Sequence, residues 1–71
     1  MDVEHSIDIR NREDCKITGI NEIISFSEKE IVVGFSDNSL LMIRGKKIQI
    51  ISYSGDSIYI AGKLNSFTYS N

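Results

Sequence analysis

Isoleucine fills 13 of the 71 positions of this chain, while alanine occurs once, at Ala61, and proline not at all. A β-branched side chain loses rotamer freedom in a helix but packs well on a pleated strand, and alanine is the best helix former. That imbalance points to an all-β fold. A chain of 71 residues buries only about 60% of the surface its unfolded form exposes, so residues 1–71 are read as one small domain. Two-domain enzymes and barrels with a roomy interior are excluded by size.

The apolar pattern fills in the strands. Val3, His5, Ile7 and Ile9 share one face and Glu4, Ser6, Asp8 and Arg10 the other, which is the period of a half-buried strand. Residues 15–26 read as a long or broken strand with Gly19 at the bend. Residues 30–35, 40–44, 48–53, 58–61 and 64–69 follow, with breaks at Gly45 and Gly62. Polar turns lie at 11–14, 27–30, 36–39 and 54–57; the second has capping-box spacing, but no helical repeat follows it. The expected architecture is a small single-domain sandwich or roll of about eight short, mostly antiparallel strands.

Three glycines share a context: Ile17-Thr18-Gly19, Ile43-Arg44-Gly45 and Ile60-Ala61-Gly62. Their unequal separations argue against a solenoid repeat. Inside otherwise continuous strands they mark bends or bulges where a β-carbon would clash or strain the backbone. The expected core comprises Ile17, Phe26, Ile31, Val33, Leu41, Ile43, Ile48, Ile50, Ile58 and Ile60. Runs such as Ile31-Val32-Val33 and Leu40-Leu41-Met42-Ile43 are apolar on both faces, and a domain this small has little to cover the second one. A homo-oligomer or a permanent partner is the expected cover.

The formal net charge is −2, which does not suit a nucleic-acid binder relying on bulk positive charge. The charges are unevenly placed. Residues 1–14 hold five carboxylates against two arginines, a formal −3; residues 40–64 hold Arg44, Lys46, Lys47 and Lys63 against Asp56, a formal +3. Such halves suit head-to-tail docking, contact with anionic lipid, or plain solubility of sheet edges. One cysteine, Cys15, cannot close an intramolecular disulfide, so a reducing, cytoplasmic setting is expected. The stretch MDVEHSIDIR lacks the basic and apolar regions of a signal peptide, and no apolar run approaches the roughly 20 residues of a membrane helix.

Catalytic patterns fail on residue supply. With one histidine, His5, and one cysteine, no zinc site of ordinary ligand count forms within a chain. Nothing suggests the strained nucleophile and oxyanion hole of a triad. Cys15 reads as a small buried residue, and Glu13-Asp14 and Glu28/Glu30 as solvated turn carboxylates. Gly62-Lys63 lacks the following Ser/Thr and the correctly spaced earlier glycine of a phosphate loop. No catalytic, metal or cofactor residue is assigned, and no small-molecule substrate is expected. The candidate interaction surface is Arg44, Lys46, Lys47, Tyr53 and Tyr59. Its alternative use is a small β-barrel face for single-stranded nucleic acid, with bases on rings and phosphates on cations.

The ordered set Asn11-Arg12, Ile17-Thr18-Gly19-Ile20, Ile24-Ser25-Phe26, the strand around Ile31, Leu41-x-Ile43-Arg44-Gly45-x-x-Ile48-x-Ile50, Ile58-x-Ile60-x-Gly62-x-Leu64 and Tyr69 resembles the YabP/YqfC family of sporulation proteins, its YabP branch more closely. Asn38 stands where that family usually has a turn glycine, and Ser52-Tyr53-Ser54 where an acidic residue is common. The resemblance implies a non-enzymatic protein of endospore formation, made in the mother cell. It further implies action in assembling spore outer layers with a membrane-protein partner, and a station in the cytoplasm or peripherally at the forespore outer membrane. It brings no catalytic residues.

Overall fold

A computed structural model describes residues 6–10, as backbone alone, and residues 13–71 in full. His5 and the Asn11-Arg12 pair lie outside the described residues. The elements are β1 (Ser6–Arg10), β2 (Asp14–Thr18), β3 (Ile20–Phe26), β4 (Glu30–Phe35), β5 (Leu40–Ser54) and β6 (Ser57–Ser70), with no helix among the described residues. They form one sheet in the order β1-β2-β6-β5-β4-β3, with every pairing antiparallel.

Six strands stand among the described residues where about eight were expected, and they form one continuous sheet. At Gly45 and Gly62 the ladder continues, because each glycine belongs to a bulge and not to a break. The β5–β6 register shifts between Arg44 and Gly45, between Lys46 and Gln49, and between Ile50 and Ser52. An unmatched residue in one strand bends it and turns the following side chains over. In β5 the inward positions therefore pass from Leu41 and Ile43 to Ile48, with the half-buried Ile50 beyond it.

Those bulges let one sheet enclose a core. The first part of β5 pairs with the last part of β6 and with β4, while the second part of β5 pairs with the start of β6, which also pairs with β2. Ile17, Ile58 and Ile60 from one half and Ile31, Val33, Leu41 and Ile43 from the other belong to a single buried cluster. Cys15, Ile20, Phe35, Ile48 and Leu64 complete it. The chain changes halves at Gly19 (φ 88°), where the amides of Gly19 and Ile20 donate to the Asp56 carbonyl at 2.9 and 3.0 Å. Asp56 sits in the two-residue β5–β6 loop behind Gly55, whose φ of 60° suits a primed hairpin turn.

One expected core residue faces out. Phe26 is 46% exposed because it ends the edge strand β3, with Ile31 on one side and, among the described residues, no strand on the other. Two further turns show why their residues were chosen. Ser27 Oγ accepts the amides of Lys29 and Glu30 at 3.2 and 3.1 Å, so the capping-box spacing closes a hairpin instead of starting a helix. Asn38 takes φ 69°, and the Asp37 carboxylate accepts both the amide and the hydroxyl of fully buried Ser39.

Candidate interaction sites

Gly45 and Gly62 sit where the bulged strands cross, each against the backbone of the other strand. A β-carbon at Gly62 would come within 2.7 Å of the Lys47 carbonyl oxygen and 2.9 Å of Ile48 Cα. One at Gly45 would overlap the Lys63 carbonyl and approach Leu64 Cα at 3.1 Å. Only residues without a β-carbon permit this approach. The crossing is braced from outside: the Gly45 amide donates to the Lys29 carbonyl at 2.9 Å, Ile48 to Glu28 at 2.8 Å, and Gly62 to Glu13 at 2.8 Å.

This crossing gathers charge. Lys46 lies opposite Lys63 in the β5–β6 register, and Lys47 follows in a left-handed conformation with φ 55°. Together with Glu13 and Gly62 they line an open cleft of about 510 Å³. Glu13, the last acidic position before β2, thus faces the basic residues of its own chain.

The five residues of the sequence-based interaction surface separate into several environments. Lys46 and Lys47 share the cleft, and the structure adds Lys63 and Glu13 to them. Arg44 is engaged elsewhere, its Nε–H donating to Glu30 Oε2 at 2.9 Å. Tyr59 is half-buried and donates its hydroxyl to Asp14 Oδ2 at 3.0 Å. It lines a second, smaller hollow with Lys16, Ser52, Ser54, Ser57 and Ile58. Tyr53 stays exposed near the end of β5. Lys63 is paired with its neighbours by a register that requires knowing both bulges; the sequence marked it only as one cation of the basic half, beside Gly62.

Asp14 departs from the solvated role expected of it. It is half-buried, and its Oδ1 is buried with no hydrogen-bond partner among the described residues. Glu28 is exposed, Glu30 holds Arg44, and Cys15 lies in the core at 1% exposure.

A second surface is apolar. On the outer side of the sheet, Gly34 and Val32 of β4 lie opposite Leu40 and Met42 of β5. Gly34 leaves a gap, and Ile24 Cδ1 and Leu40 Cδ2 reach to 3.3 and 3.7 Å from the place a β-carbon would take. Ile24 is the extra residue of a β3 bulge, between Ile23 and Ser25 in the register. It is 48% exposed and Leu40 38%, with Val32 and Met42 half-buried beside them. The result is an apolar strip running across three strands to the sheet edge.

A family model described as the YabP family matches residues 1–71. No curated protein and no solved structure matches the chain.

Proposed function

Because the chain belongs to the YabP family over residues 1–71, we propose that it is a non-enzymatic sporulation protein, a small β interaction module in mother-cell assembly of the spore outer layers. It works by self-association through the strip of Ile24, Val32, Leu40 and Met42, alongside or in place of contact with a membrane-protein partner. Its station is the mother-cell cytoplasm, with peripheral attachment at the forespore outer membrane.

The apolar strip carries this reading. A small domain seldom leaves adjoining apolar side chains on an outer sheet face unless something covers them, and β3 adds an edge whose outward backbone groups are unpaired within the sheet. A second copy offers the same strip to the first, as a two-fold contact requires. The nucleic-acid alternative has less support, since Tyr59 is held by Asp14 and Tyr69 lies against Phe35 with ring centroids 6.2 Å apart. A stacking platform needs rings beside the cations.

Light scattering tests the proposal. The wild type is expected as an oligomer and the double variant Ile24→Lys/Leu40→Lys as a folded monomer. A wild type that stays monomeric at high micromolar concentration refutes self-association and leaves the membrane-protein partner to cover the strip.

A further inference from the structure

We propose that the cleft at the β5–β6 crossing is a binding site for a phosphate group, held by Lys46, Lys47 and Lys63. This inference is independent of the apolar strip and does not rest on self-association.

Two features of the cleft oppose stability. Lys46 and Lys63 are direct partners across the β5–β6 ladder, and like charges placed so repel. Lys47 holds φ 55°, a conformation that a β-carbon disfavours and that glycine or asparagine adopts more readily. The chain uses those cheaper residues at its other left-handed positions: Gly19, Asn38, Gly55 and Gly62. A backbone outlier bearing a cation, beside an opposed pair of cations, is the kind of local cost that a ligand offsets.

The charge and size select the ligand class. Among the described residues, three ammonium groups against the Glu13 carboxylate line the cleft with a formal +2, the complement of a phosphate dianion. No ion pair among the described residues engages the three lysines. Lysine binds phosphate as a point charge with rotatable donors, which suits an open cleft better than a fixed fork. A volume of about 510 Å³ lies in the range of small-ligand pockets. The phosphate could belong to a soluble polyphosphate or to a phospholipid headgroup, and the probes below separate the two.

The test uses the full chain with pyrophosphate in one arm and vesicles of phosphatidylglycerol in phosphatidylcholine in the other, followed by amide NMR shifts and flotation. Saturable shifts confined to Glu13, Lys46, Lys47, Gly62 and Lys63 support the site. Pyrophosphate binding without vesicle binding assigns a soluble phosphate; preference for anionic over neutral vesicles assigns a headgroup. Lys47→Gly is the discriminating variant: it removes one cation and the backbone strain together. It should raise the thermal midpoint while weakening binding about tenfold, as loss of one charge-assisted contact does. Lys46→Gln/Lys63→Gln should weaken binding further with the fold retained. Lys16→Gln/Arg44→Gln removes the same charge from outside the cleft and should leave binding unchanged. The proposal is overturned if neither probe gives saturable shifts, if Lys47→Gly binds like wild type, or if the outside pair weakens binding as much as the cleft pair.

Discussion

Two glycines in the same sheet should respond to alanine in opposite directions, and the difference measures how closely β5 and β6 cross. At Gly34 a new β-carbon meets only side-chain atoms: Ile24 Cδ1 at 3.3 Å, Glu22 Cγ at 3.6 Å and Leu40 Cδ2 at 3.7 Å. Ile24 and Leu40 are exposed enough to move by the few tenths of an ångström required. The gain from restricting the unfolded chain, about 0.4–1 kcal/mol, should then dominate. At Gly45 the new atom meets backbone instead, overlapping the Lys63 carbonyl and approaching Leu64 Cα at 3.1 Å. Backbone cannot rotate away, so the two strands must part. Overpacking costs about 1–3 kcal/mol, and one weakened ladder hydrogen bond adds about 1 kcal/mol.

Gly45→Ala should therefore lose about 3 kcal/mol, against a total stability of roughly 4–10 kcal/mol for a chain of this length. At about 4–8 °C per kcal/mol the midpoint falls by about 12–24 °C, while Gly34→Ala rises by a few degrees. Urea and thermal unfolding followed by circular dichroism read both. If Gly45→Ala loses under about 1 kcal/mol, or Gly34→Ala loses as much as Gly45→Ala, the close crossing is refuted.

Three further outcomes are expected. Ile43→Ala and Ile60→Ala, both at 0% exposure in the core, should each cost roughly 2–5 kcal/mol in urea unfolding, and a loss under about 1 kcal/mol at both would mean the wrong face is inside. Tyr59→Phe removes the donor to Asp14 Oδ2 from a carboxylate whose other oxygen already lacks a partner among the described residues. It should destabilise by about 1–3 kcal/mol, and an unchanged midpoint would show that water serves Asp14 equally well. Ile51→Thr, at the 58% exposed extra residue of a β5 bulge, should change stability by no more than about 0.5 kcal/mol in the same assay, and a larger loss would mean that Ile51 packs against something.

The all-β class and most of the core were legible because burial follows strand alternation. Ile31, Val33, Leu41 and Ile43 alternate along their strands, as do Ile58 and Ile60, and all are buried. The switch from odd to even inward positions between Ile43 and Ile48 was also written in the isoleucine spacing. Gly45 and Gly62 were read as bends or bulges and yet counted as breaks between strands, since both outcomes use the same residue. That ambiguity produced about eight strands where six stand among the described residues. Phe26 misled for a different reason: alternation locates a face, not the neighbour that covers it, and an edge strand has a neighbour on one side only. Ile20, Phe35 and Leu64 were missed in the core, each near a strand end, turn or bulge where periodicity gives out, whereas Cys15, read as a small buried residue, lies in it. Half of the candidate site was visible as Lys46-Lys47; Lys63 and Glu13 join them only through long-range register.

The sheet order also sets an order of assembly. From β3 to β6 each strand pairs with the next in sequence, so these contacts close short loops and form early. The β2–β6 pairing instead joins Asp14–Thr18 to residues 57–61, across some forty intervening residues. The β1–β2 arm is therefore expected to dock last onto a preformed meander and to lift off first when the native state opens. Amide exchange should show lower protection in β2 than in β4, and equal protection would mean the sheet forms as one unit. Asp14 and Glu13 ride on that arm, so its departure removes both the Tyr59 contact and the Glu13 carboxylate beside the three lysines. Docking of the N-terminal arm thus sets the electrical character of the crossing, coupling a late folding step to the charge the protein presents.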